Sequence, residues 1–105
     1  MRAVQGRLPF DEVEPLPKRA LALPLHVQQM LLGIEQDKVR LIAALVVLAV
    51  VREKRRHVRY ARSLGRSGGR SAQDAAAASA WLLQSGLLRL DGCFFVAGPK
   101  MEATP

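Results

Sequence analysis

Between Arg52 and Arg70 stand eight basic residues, Arg52, Lys54, Arg55, Arg56, Arg59, Arg62, Arg66 and Arg70, against one acid, Glu53. That segment alone carries the formal charge of the whole chain, +7, because the bases and acids elsewhere cancel. Guanidinium groups stay charged and grip phosphate oxygens with paired N–H donors. A dense patch of one sign therefore points to a polyanion, either nucleic acid or an anionic membrane surface. The plain alternative is a solvated helix face, and the lack of interleaved acids stands against it. The membrane option is the weaker one, since the segment has no large apolar groups opposite its arginines.

Other reactive side chains do not assemble into a site. His26 and His57 are far apart, and neither has a carboxylate or cysteine at ligand spacing, so no metal site is expected. Cys93 is the single cysteine, which excludes an internal disulfide framework; it reads as a small hydrophobe at the start of a strand. The run from Gly65 to Ser71 departs from a phosphate-binding loop, which wants Gly where Arg70 stands and Lys where Ser71 stands. With no Ser-His-Asp arrangement and no paired acids, the expectation is a binding protein without cofactor, not an enzyme.

These arginines need elements to hold them. A chain of 105 residues, half of them apolar, has the material for one core. The first ten residues lack the apolar stretch of a signal peptide, so a cytoplasmic location is expected, with the nucleoid as its setting if the partner is DNA. The longest unbroken apolar run, Leu41 to Val51, is eleven residues. That is about half of the ~20 a membrane-crossing helix needs, so it reads as a buried helix. Arg outnumbers Lys twelve to four, a composition common to GC-rich bacterial and phage genomes.

Residues 1–24 carry Pro9, Pro15, Pro17 and Pro24 with the acids Asp11, Glu12 and Glu14, and read as an extended arm. Pro24 suits the start of a short helix, Leu25 to Leu32, with Gly33 as its stop. Asp37 is placed to cap the next helix, Lys38 to about Lys54, which is apolar almost all round. Such a helix is either the centre of the domain or part of a dimer interface. From Arg55 to Leu64, Val58, Ala61 and Leu64 fall three apart with the arginines pointing away, the pattern of an amphipathic helix with one cationic face. Gly65 to Arg70 reads as a turn. Ser71 is a good cap for a helix from Ala72 to Ser85, ended by Gly86. Leu87 to Leu90 and Cys93 to Val96 flank Asp91-Gly92 as a two-residue hairpin turn, with Leu88, Leu90, Cys93 and Phe95 on one face and Arg89 opposite Phe94 on the other. The domain is expected over residues 25–98 and a tail over 99–105.

The stretch Arg59-Tyr60-Ala61-Arg62-Ser63-Leu64-Gly65, and the stretch Trp81-Leu82-Leu83-Gln84-Ser85-Gly86-Leu87-Leu88-Arg89-Leu90-Asp91-Gly92, resemble the second helix and the helix-to-wing passage of a winged helix-turn-helix domain. The resemblance spans residues 56–96 and is to the superfamily. It implies a mainly α fold with a C-terminal β-hairpin. It also implies phosphate contacts from the second helix and turn, and base contacts from the first half of the third helix. Carried over residue by residue, the phosphate contacts are Arg55, Arg56, Arg59, Arg62, Arg66 and Arg70, with Arg89 in the wing. The base-reading positions are Ser71, Gln73, Asp74, Ala76 and Ala77, of which only Gln73 pairs well with a base edge.

Two functions follow. One is a small DNA-binding regulatory factor, transcriptional or of a phage or plasmid, that holds duplex DNA largely by its phosphates. The other is a protein-interaction module whose Ala-rich helix, with Ala77 and Trp81, meets a host enzyme or a nucleoprotein complex. Trp81 falls in the core or on the contact surface according to one helical step of packing register. A homodimer is expected, through the apolar helix or the Leu25 to Leu32 helix packed on it.

Overall fold

The computed structural model describes residues 16–67 and 72–102. Arg70 and Ser71, two of the expected contact residues, lie outside them. In chain order the described elements are a 3-10 helix Lys18–Ala22, α1 Leu25–Leu32, α2 Asp37–Glu53, β1 Arg55–His57, α3 Arg59–Ser67, α4 Ala72–Ser85, β2 Leu88–Asp91, β3 Phe94–Ala97 and a 3-10 helix Pro99–Glu102. The three strands form an antiparallel sheet in the order β1-β3-β2. The chain is therefore mainly helical with a small sheet.

α2 is the central helix. Ile42, Val46 and Val47 are fully buried and Val50 nearly so, while Leu41, Leu45 and Leu48 are half-buried. It packs against α1, α3, α4, the sheet and the first 3-10 helix, all from the same chain. Burying an aliphatic side chain of this size contributes about 1.5–3 kcal/mol, so α2 is the main source of cohesion. Its own chain covers most of its apolar circumference, and Val51 stays 46% exposed. No helix among the described residues is long and apolar enough to cross a membrane.

Asp37 is the first residue of α2 rather than its cap, which is Gln36. The Asp37 carboxylate instead accepts a hydrogen bond from Arg40. Among the described residues Arg40 is the one buried charged side chain, and its guanidinium also donates to the Ile34 carbonyl at 2.6 Å. A buried guanidinium is tolerated only when its donors are satisfied. Here it ties the start of α2 to the loop after α1.

The chief correction concerns residues 55–64, which are not one helix. α2 ends at Lys54, whose φ of 76° is left-handed and whose N–H donates to the Val50 carbonyl at 2.7 Å. The chain then turns into β1, where Arg55, Arg56 and His57 pair with Val96, Phe95 and Phe94. Helical periodicity in the sequence is overridden here because β3 offers backbone partners to a segment that can extend. α3 starts only at Arg59 and runs through Gly65, which is buried, to Ser67. The first residues of the turn expected over Gly65 to Arg70 are thus helical, and Gly68 to Arg70 lie outside the described residues. Within α3, Ala61 faces the core, Leu64 is half-buried, and Arg59, Arg62 and Arg66 are exposed; Val58, just before α3, is half-buried.

The hairpin is shifted by one residue. Asp91 pairs with Phe94, so the loop is Gly92-Cys93, with Gly92 at φ 63° and no positive φ at Cys93. A glycine of positive φ in the first loop position is the II′ arrangement, which suits the twist of the strands. Cys93 is consequently an exposed turn residue and not a strand hydrophobe. Arg89 pairs with Val96, not Phe94, while Leu88, Leu90 and Phe95 share a face as expected.

Both ends of the described chain belong to the core. Leu16, Ala20 and Leu23 are buried in it, and so is Met101, so the packed unit reaches beyond residues 25–98 in both directions. Only Ala20 of the three lies in the 3-10 helix; Leu16 and Leu23 flank it in non-helical backbone. The C-terminal turn is held by the Lys100 N–H donating to the Gly86 carbonyl and by the His26 Nε2 donor on the Lys100 carbonyl at 3.0 Å. Gly98 makes this possible: a Cβ there would lie 2.4 Å from the Gly86 carbonyl oxygen.

Candidate nucleic-acid interface

β1 and α3 together position the basic residues, and they do so in two groups. Strand alternation sends Arg55 and His57 to the outer face of the sheet, with Phe94, Val96, Arg89 and Asp91. Arg56 points to the side of Phe95, toward α3. There its guanidinium sits 4.1 Å from the centre of the Tyr60 ring and donates to Glu53 at 2.6 Å. The Arg55 guanidinium sits 4.4 Å from the centre of the Phe94 ring, and the His57 ring stands T-shaped to the same ring, centroids 5.4 Å apart at 78°. His57 Nδ1 accepts the Arg59 N–H at 3.1 Å, satisfying one of the free donors at the start of α3.

These residues enclose an open concavity of about 510 Å³ between β1, the first turn of α3 and Phe94. Glu53 lies on its rim, ion-paired with Arg56 at 2.6 Å and with Arg52 at 3.9 Å. Arg55, Arg59, Arg62 and Arg66 are exposed and have no carboxylate partner among the described residues. Four guanidinium groups with their donors unpaired, close along the chain, are suited to phosphate oxygens.

Arg59 also borders a second depression, of about 750 Å³, between α3, α4 and the hairpin. Arg59 and Arg62 stand on its α3 side, Ala72, Ala76 and Ser79 on its α4 side, and the half-exposed Leu90 at the hairpin. The outward face of α4 carries Gln73, Ala76, Ala77, Ala80 and Gln84, all exposed. Asp74 is half-buried. Only the two glutamines on that face offer hydrogen-bonding groups.

Trp81 lies at the edge of that face, next to Ala77. They line a cleft of about 380 Å³ with Gly33, Ile34, Gln36 and Val39, at the loop between α1 and α2. Trp81 is half-buried and packed on the core, so it is both a core and a surface residue. Arg89, on the outer face of β2, is exposed.

The expected contact residues are thus dispersed, with Arg66 farther along α3 and Arg89 on β2. Arg55, Arg56, Arg59 and Arg62 come together; Gln73 stands at the start of α4; Trp81 and Ala77 line the cleft at the α1–α2 loop. Tyr60, Phe94 and His57 were missed as companions of the basic group. The signal that would have found them is the alternation of Arg55 and His57 along a strand, which becomes visible only once the strand is recognised. No group of three or more His, Cys, Asp or Glu residues able to hold a metal ion occurs among the described residues. No family model, no curated protein and no solved structure matches this chain.

Proposed function

We propose that this chain is a small winged helix-turn-helix DNA-binding protein, a regulatory factor that holds duplex DNA mainly through its phosphates. The fold part of this reading is supported by the order of α2, β1, α3, α4, β2 and β3, with the first strand paired beside the last. The observation that carries the function is the set of exposed guanidinium groups on β1 and α3, Arg55, Arg59, Arg62 and Arg66, with no carboxylate partner among the described residues. Arg56 contributes less, because its charge is already paired with Glu53 through one N–H donor. The alanine-rich outer face of α4 gives little base readout, so affinity without strong sequence preference follows.

Titrating unrelated duplexes over a range of salt tests this directly. Four phosphate contacts give a slope of log affinity against log salt of roughly −3.6, nearly the same for every sequence. Absence of binding at low salt overturns the reading. A protein-interaction module is the second reading, and the cleft lined by half-buried Trp81 and exposed Ala77 supports it. It predicts a partner lost on changing Trp81 and retained on changing the arginines.

A further inference from the structure

The concavity at β1 and α3 has more in it than charge. It brings together two of the chain's five Phe, Tyr and Trp residues, Tyr60 and Phe94, and one of its two histidines, His57, all among arginines. Each of two guanidinium groups is seated over a ring, Arg55 on Phe94 and Arg56 on Tyr60. A guanidinium backed by a ring is held in one place, and it leaves its other face and its N–H edge to a ligand. At about 510 Å³ the concavity falls within the range of small-ligand pockets, about 300–1,000 Å³. Phosphates on the outside of a duplex need charge but make no use of π surfaces. An unpaired nucleotide needs both, since its base stacks on an aromatic ring or a guanidinium plane while its phosphate takes the cationic edge.

We propose that this concavity seats one unpaired nucleotide of a DNA strand, with its phosphate on Arg55 and Arg59 and its base stacked against the ring-backed Arg55 guanidinium. The site rests on the DNA-binding reading and refines it: the duplex lies along Arg59, Arg62 and Arg66, and a strand end or frayed base enters beside β1. Arg59 borders both depressions and joins the two paths. Glu53 neutralises Arg56, so Arg55 and Arg59 are the pocket's available phosphate donors.

The test is fluorescence anisotropy on the full chain at one fixed salt concentration. Its probes are a blunt duplex, a duplex with a short single-stranded overhang and the same number of phosphates, and a single strand. The overhang is expected to bind about five- to a hundredfold tighter than the blunt duplex, the range for one stacked base. The single strand is expected to bind at least as tightly as the blunt duplex. Charge alone gives the reverse order, since a single strand releases fewer counterions per contact. Arg55→Lys keeps the charge and removes the plane, and should bring the overhang-to-blunt ratio close to one. Phe94→Leu should do the same by removing the backing ring; Arg55→Lys, at an exposed position, decides the matter should Phe94→Leu lose the fold.

A ratio near one in the parent chain overturns the pocket while leaving duplex binding intact. A ratio retained in Arg55→Lys overturns it as well. Competition by a free deoxynucleoside monophosphate as effective as the strand overturns the strand as its source. Binding to none of the probes at low salt overturns the DNA reading too.

Discussion

Arg59 and Arg62 are the residues on which the phosphate reading rests most directly, because both are exposed on α3 and neither has a carboxylate partner among the described residues. Replacing both with alanine should weaken binding to every duplex alike and reduce the salt slope by roughly 1.8. Melting should be unchanged, since both side chains face solvent; equal affinity at moderate salt would remove them from the interface. Gln73 and Trp81 separate the two functional readings. Gln73→Ala should cost roughly 1–3 kcal/mol at one base position if α4 reads DNA, and nothing if it does not, as measured by a panel of single-base variants. Trp81→Ala should destabilise the fold by roughly 1–3 kcal/mol, because Trp81 is packed on the core but only half-buried. Loss of a protein partner beyond that destabilisation, with DNA binding intact, would favour the interaction module.

At the scale of elements, the site depends on how α2 stops. Lys54 takes the left-handed conformation that frees β1 to pair with β3, so the cationic segment is bent into a strand and a helix instead of continuing straight. A lysine in that conformation carries a steric cost of about 1–2 kcal/mol that glycine does not. Lys54→Gly should therefore stabilise the chain by about 1 kcal/mol, a rise of about 4–8 °C in Tm by calorimetry. A fall in Tm would show that the lysine side chain contributes more than its backbone costs. At the other end of α2, Arg40 does for the preceding loop what a cap would do, binding Ile34 and Asp37. Both ends of the central helix are thus set by a charged residue in a position that hydrophobic periodicity does not reveal.

For the whole molecule, the segregation of charge matters most. Arg55, Arg59, Arg62 and Arg66 lie on β1 and α3, and the Trp81 cleft lies at the α1–α2 loop. A polyanion and a protein could therefore be held at once without competing for side chains. The proposed homodimer finds only one exposed large apolar side chain on α2, Val51. It moves to α1, where Leu25 and Leu32, seven residues apart and on one face, are exposed, with Leu21 also exposed nearby in the chain. Sedimentation analysis should report a dimer that Leu25→Glu with Leu32→Glu converts to monomer, with helicity unchanged. A monomeric parent chain at high micromolar concentration would remove the dimer.

The sequence by itself determined the elements whose signals are local. Helices at Leu25–Leu32 and Ala72–Ser85 lie where Pro24, Gly33 and Gly86 delimit them, and the hairpin follows from Asp91-Gly92 to within one residue. It also determined that the chain's excess charge lies in a single segment, since that is a matter of counting. Tertiary structure decided what depends on partners distant in sequence. Residues 55–57 became a strand because β3, about forty residues later, supplied hydrogen bonds that local propensity could not anticipate. Leu16, Ala20 and Met101 joined the core because distant elements lie beside them: the first 3-10 helix packs on α2 and the last on β2. For the same reason the aromatic companions of the arginines were hidden: Tyr60 is close to Arg56 in sequence, but Phe94 reaches Arg55 only across the ladder that β1 and β3 make.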